Sequence, residues 1–124
     1  MKERIRKFSQ ILKLRENDRQ TEQVLLAEQR REQDAVLRRL EALGGEKAKA
    51  MDDFRQETAE PMSRQEIWFQ RQAIEVIEKH IDKSREHFDD VRLRIEKTEE
   101  RLVERHRDVR MIEGYVERLK TDAM

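Results

Sequence analysis

Residues 67–119 have the sequence IWFQRQAIEVIEKHIDKSREHFDDVRLRIEKTEERLVERHRDVRMIEGYVERL. Steps of three and four residues alternate through this stretch from Ile67 to Leu119, and twelve of the sixteen positions they mark are apolar. A stripe that keeps a seven-residue period for this long predicts a left-handed coiled coil, because a straight helix would drift away from it. We call these positions the seam of the second helix: Ile67, Gln70, Ile74, Ile77, Ile81, Ser84, Phe88, Val91, Ile95, Thr98, Leu102, Arg105, Val109, Ile112, Val116 and Leu119.

The first half of the chain has the same spacing, less regularly. Its seam is Ile5, Phe8, Leu12, Arg15, Arg19, Glu22, Leu26, Gln29, Gln33, Val36, Leu40, Leu43, Lys47, Ala50 and Phe54. The polar run from Arg15 to Gln33 leaves two interpretations open. Leu25, Leu26 and the long stems of the arginine and glutamine side chains cover the facing apolar residues, or this stretch is loosened to accept a partner. Gly44 and Gly45 together cost about 2 kcal/mol relative to alanine, which predicts a soft or kinked point rather than a full break.

A turn is predicted between the halves. Pro61 is the only proline and disfavours helical backbone at Glu60. Ser63 and Glu66 then fit a capping box that starts the next helix.

Folding the chain about this turn brings the two seams into register when facing residue numbers add up to about 124, as for Ile5 and Leu119. We therefore expect an all-α fold, a long antiparallel two-helix coiled-coil hairpin, as a single domain over residues 1–124. Helix 1 should cover about 3–59, the turn about 60–63 and helix 2 about 64–121. Each helix would be roughly 85 Å long.

Composition narrows the functional class. Charged residues make up 45% of the chain and balance at 28 basic and 28 acidic, cysteine is absent, and only 35% of residues are hydrophobic. These values argue against a compact globular enzyme, a disulfide framework and a dedicated nucleic-acid binder. No signal sequence or membrane span is apparent, so we expect a cytoplasmic protein.

The residues with catalytic or metal-binding chemistry form no recognisable site. His80, His87 and His106 are the only histidines, and no third ligand completes a closed set around His80 and His87. We therefore expect no enzyme activity, no metal and no cofactor, and a function exercised by contact with other proteins.

Two sequence features are candidate contact surfaces. Trp68 and Phe69 follow the turn, where they either cap the tip by packing against Phe54 or form an exposed docking patch. The first helix opens with a basic amphipathic segment whose cations suit an acidic protein surface; they include Arg4, Arg6, Lys7, Lys13 and Arg15. Alternatives for this segment are an anionic membrane or a nucleic acid, bound through cations that include Lys2.

Three stretches resemble the flagellar FliJ family and its injectisome counterpart YscO, which are small helical proteins of type III export. Phe8-Ser-Gln-Ile-Leu-Lys-Leu-Arg-Glu16 is similar to the family's opening motif. Ile67-Trp-Phe-Gln-Arg-Gln-Ala-Ile-Glu-Val-Ile-Glu-Lys-His-Ile81 is similar to its segment after the turn, and Leu102-Val-Glu-Arg-His-Arg-Asp-Val-Arg-Met-Ile-Glu113 to its charged third segment.

This resemblance implies a component that couples the export ATPase hexamer to the cytoplasmic domain of the export gate and assists delivery by export chaperones. The end with both termini would enter the ATPase ring, which assigns Arg4, Arg6, Lys7, Lys13 and Arg15 to the ATPase side. The gate side would fall on Ala73, Ile77 and His80, with Trp68 and Phe69 nearby; the family often has an aromatic residue where Ala73 stands. Such a protein would reach the membrane-bound apparatus only through protein partners and would bind no nucleic acid.

Two other functions stay open at this point. The chain could serve an injectisome rather than a flagellum. It could also be a generic coiled-coil adaptor that dimerises, in parallel or as a four-helix assembly, through its second helix.

Overall fold

The computed structural model describes residues 2–57 and 62–123 of the chain, and these form two long α-helices that pack against each other. Helix α1 spans Lys2–Glu57 and helix α2 spans Arg64–Ala123. No strand occurs in these two described ranges. The predicted all-α, antiparallel two-helix hairpin is therefore confirmed.

Helix α2 begins where the capping motif predicts. The backbone N–H of Glu66 donates a hydrogen bond to the Ser63 hydroxyl at 3.2 Å, and the N–H of Ile67 donates to the Ser63 carbonyl at 3.1 Å. Ser63 thereby satisfies one amide of the first turn that has no partner inside the helix. The helix continues to Ala123, slightly beyond its predicted end. The rest of the predicted turn, Glu60 and Pro61, lies outside the described residues, as do the last two residues predicted for helix 1.

The two central glycines do not interrupt α1. The helix passes through Gly44 and Gly45 without a break, and neither has a positive φ. A Cβ atom added at either position would meet nothing within 4 Å. Packing between the helices therefore does not require glycine at these two positions.

Burial follows the predicted seams closely. All sixteen seam positions of α2 are buried or half-buried, and among the seam positions of α1 only Arg15 is exposed. The seven-residue period thus identified which face of each helix packs on the other.

The hairpin divides into two units, which we name by their place in the chain. The terminal unit comprises Met1–Arg30 with Leu93–Met124, and the turn-side unit comprises Arg31–Arg92. In the terminal unit the rings of Phe8 and Tyr115 lie 4.8 Å apart between centroids. In the turn-side unit Lys47 Nζ lies 3.5 Å from a carboxylate oxygen of Glu78. Both pairs agree with the predicted register, which is confirmed within each unit.

Candidate protein-interaction surfaces

The basic residues near the start of α1 are all available at the surface. Their side chains are exposed and belong to the terminal unit: Arg4, Arg6, Lys7, Lys13 and Arg15. The Arg15 guanidinium lies 3.5 Å from the Asp18 carboxylate on the same helix, and both groups remain well exposed. A protein partner could reach this whole basic segment.

Helix α2 contributes to the same surface, which the sequence reading missed. The Arg118 guanidinium lies 5.6 Å from the centre of the Tyr115 ring, and that ring contacts Phe8. Arg4, Tyr115 and Arg118 line one shallow groove together with Asp122. The signal for Tyr115 was its position beside Val116, which the predicted register places opposite Phe8. We call Arg4, Arg6, Lys7, Lys13, Arg15, Tyr115 and Arg118 the basic surface.

Trp68 and Phe69 form an exposed pair near the start of α2. Their rings meet edge to face, 5.2 Å apart between centroids, and the residues are 56% and 58% exposed. Neither is covered as a tip cap requires, so the structure favours the exposed-patch interpretation over packing against Phe54. An exposed aromatic pair offers a large apolar area for a partner to cover.

The other predicted gate-side residues have unequal access. Ala73 and His80 are exposed, whereas Ile77 is half-buried because it is a seam position. Phe69, Ala73, Val76 and His80 follow one another at steps of four, three and four, which places them on one helical face. Val76, which the sequence reading did not select, is 51% exposed on this face. We call Trp68, Phe69, Ala73, Val76 and His80 the aromatic patch; all five lie in the turn-side unit.

Two of the apolar residues that face polar seam positions of the terminal unit are well covered. Val109 has no exposed surface and Ile95 is buried, as are Gln29 and Leu26. The burial of Gln29 and Leu26 agrees with the covering interpretation near Ile95, whereas Arg15, opposite Val109, is exposed.

At one layer the cover fails. The Arg101 Nε–H lies 3.2 Å from both carboxylate oxygens of Glu22, whose side chain is only 12% exposed. In the predicted register Glu22 faces Leu102, and Leu102 is left half-buried. A groove of about 530 Å³ opens beside it. We call it the Leu102 groove and define it by Leu26, Leu102, Val103, Arg19, Arg30 and Arg107.

The three histidines do not form a site. His87 Nε2 lies 2.9 Å from Glu32 Oε1 across the turn-side unit, and His106 Nδ1 lies 3.3 Å from the Arg19 guanidinium in the terminal unit. Because a guanidinium only donates, His106 Nδ1 accepts that hydrogen bond. Across residues 2–57 and 62–123, no three His, Asp or Glu side chains are grouped as metal ligands would be. Neither described helix contains a stretch apolar enough to cross a bilayer.

No protein-family model, curated protein or solved structure matches this chain.

Proposed function

We propose that this chain is a non-enzymatic component of a type III protein export apparatus, of the FliJ or YscO kind, that binds two protein partners through separate surfaces. The aromatic patch would bind the cytoplasmic domain of the export gate. The basic surface would bind the export ATPase hexamer. Export chaperones would be further partners, and a flagellar system is the first candidate.

The observation that carries the proposal is the exposure of Trp68 and Phe69. A two-helix hairpin buries one seam on each helix and has no further core to hold a large ring. The chain nevertheless has its only tryptophan more than half exposed, in edge-to-face contact with a phenylalanine. Tryptophan is enriched among the residues that dominate interface energies, because a partner that covers the ring removes a large apolar area from water.

The basic surface supports a partner of a different chemistry. Its five predicted cations are all exposed. Exposed charges of one sign accelerate and orient association with a surface of the opposite sign, and their contribution weakens as salt screens it. We infer an acidic partner surface for this region, which is what an ATPase ring would have to present.

Binding measurements with the full chain test the proposal. The partners are a purified export ATPase hexamer and the cytoplasmic domain of an export gate protein. The Trp68→Ala/Phe69→Ala variant should bind the gate domain at least tenfold more weakly and keep its affinity for the ATPase. Leu93→Ala is the control, since Leu93 is an exposed apolar residue of the same helix outside the patch.

Charge reversal tests the second surface. Arg4→Glu/Arg6→Glu/Lys7→Glu should lose ATPase binding and keep gate binding. The matched control reverses three exposed cations of the turn-side unit, Arg38, Arg39 and Lys49. If neither partner binds the unmodified chain, the proposal is wrong. If light scattering shows a stable dimer instead, the generic adaptor is the better description.

A further inference from the structure

We propose that the Leu102 groove of the terminal unit is a docking site for an acidic amphipathic helix of another protein. The groove shares no residue with the aromatic patch or the basic surface, so this inference does not depend on the proposed function. It follows from three properties of the groove: its apolar floor, the excess of positive charge around it, and its position on a pair of helices.

The floor exists because the α1 seam covers α2 incompletely at the layer of Glu22 and Leu102. The Arg101 Nε–H donates to the Glu22 carboxylate, and Arg19 donates a hydrogen bond to His106, so the polar ends of both α1 side chains are engaged beside the floor. Leu102 stays half-buried, and its neighbour Val103 is 51% exposed. A ligand that covers these two side chains would gain free energy from the apolar area it removes from water.

The residues that line the groove carry more positive than negative charge, and acidic residues lie on the other side of Val103, where Glu96, Glu99 and Glu100 line a second, shallow groove. Arg19, Arg30 and Arg107 line the groove against the single carboxylate of Glu99, although the chain as a whole balances 28 basic with 28 acidic residues. Glu99 pairs with Arg30 at 3.6 Å, and both groups remain at least half exposed. The net positive charge selects a ligand that carries carboxylates beside its apolar side chains.

The ligand that best combines these demands is a helix. A groove along two packed helices accepts a third helix, whose residues at i and i+4 point to the same side. Two aliphatic residues at that spacing would cover Leu102 and Val103, and flanking glutamates would meet the arginines. A nucleic-acid backbone would satisfy the arginines but would leave the apolar floor uncovered.

Methyl NMR of the full chain, titrated with a designed peptide, tests the proposal. The probe is a helix-forming peptide of about 15 residues with two leucines four apart, glutamates beside them and alanine elsewhere. The control peptide replaces each glutamate by lysine. We expect saturable shifts confined to the methyl groups of Leu26, Leu102 and Val103, and binding of the lysine peptide at least tenfold weaker.

Matched variants separate the groove from general surface effects. Arg107→Glu should weaken binding of the acidic peptide about tenfold. Arg110→Glu, which reverses another exposed cation of α2 three residues further along, should change this affinity less than twofold. Val103→Ser should weaken binding about fivefold. Val24→Ser is its control, because Val24 has the same 51% exposure in the same unit but lies outside the groove.

Several results would overturn the proposal. Equal binding of both peptides would show that the groove does not select acidic ligands. Shifts spread over methyl groups outside the groove, or no shifts at all, would show that it is not the binding site. If the same methyl groups shift when the chain alone is concentrated, the occupant is a second copy of this chain. Far-UV circular dichroism of each variant establishes that the helices are retained.

Discussion

The terminal unit and the turn-side unit differ in how well the apolar seam residues of α2 are covered. The difference is not the one that the composition of the α1 seam suggests. The α1 seam is more apolar in the turn-side unit, yet the facing isoleucines there are only half-buried: Ile67, Ile74, Ile77 and Ile81. In the terminal unit, Ile95 and Val109 are buried although the register places them opposite Gln29 and Arg15. The number of apolar residues in the α1 seam therefore does not determine how completely the facing residues of α2 are buried.

For the pair Ile95 and Ile74, the length of the opposing side chain accounts for the difference in burial. Arginine and glutamine have long stems that lie over a neighbour while their polar heads reach water, as the buried Gln29 illustrates. Ala50, which the register places opposite Ile74, has no stem to extend. The two described helices have no third helix beside them to complete the cover, so the short Ala50 leaves Ile74 partly exposed.

The largest expected change in the free energy of unfolding comes from truncating one isoleucine in each unit. Ile95→Ala in the terminal unit should lower the free energy of unfolding by about 3 kcal/mol, because a buried side chain loses its contacts and leaves a cavity. Ile74→Ala in the turn-side unit should cost roughly 1–2 kcal/mol, since part of that side chain is already in water. Urea unfolding followed by circular dichroism measures both.

The two substitutions remove the same atoms, so each is the control for the other. Equal costs would mean that the polar stems of the terminal unit do not shield Ile95 in solution. A larger cost for Ile74→Ala would reverse the comparison of the two units.

The seams, the register and the start of α2 were predictable because they depend on local rules. A seven-residue period fixes which face of a helix packs, and Ser63 caps from its own position in the chain. The Leu102 groove was not predictable at this level. It depends on the side-chain conformations of Glu22 and Arg101, which are hydrogen-bonded to each other and which spacing does not encode.

The two candidate surfaces were only partly predictable for a related reason. Trp68, Phe69 and the basic segment are conspicuous by residue type. Val76 and Tyr115 lie on the same surfaces, but valine usually fills a core and tyrosine is of intermediate burial, so residue type did not mark either as exposed. Their exposure became apparent only when the neighbouring helix was in place.

The next largest effect concerns the glycines of the turn-side unit. Gly44→Ala/Gly45→Ala should raise the free energy of unfolding by about 2 kcal/mol, because alanine loses less backbone entropy in a helix. An added Cβ meets nothing within 4 Å at either site, so no clash opposes the gain. Thermal unfolding measures the change.

Gly114→Ala makes the same test in the terminal unit. Its Cβ also meets nothing within 4 Å, and the expected gain is about 1 kcal/mol for a single site. If Gly114→Ala stabilises the chain and the Gly44/Gly45 variant does not, α1 is not continuously helical around Gly44 in solution.

The smallest expected effects are coupling energies between the two partners of an ion pair, and one pair is taken from each unit. Arg101 contacts both carboxylate oxygens of Glu22, whose side chain is only 12% exposed, whereas Lys47 makes a single contact at 3.5 Å with Glu78, whose side chain is 48% exposed. Partial burial and the two-oxygen contact should strengthen the first pair, while solvent screens the second. We expect coupling energies of about 1 kcal/mol for Glu22 with Arg101 and about 0.3 kcal/mol for Lys47 with Glu78.

Double-mutant cycles isolate each coupling from the other consequences of losing a side chain, using Glu22→Gln with Arg101→Gln and Lys47→Gln with Glu78→Gln. The cycle for Glu22 also bears on the groove. If Glu22 is held by Arg101, Arg101→Gln should release its side chain toward Leu102 and shift the Leu102 methyl resonances, whereas Lys47→Gln should leave them unchanged. A coupling near zero with unshifted Leu102 methyl groups would mean that some other contact holds Glu22 away from Leu102, and the explanation of the groove would have to change.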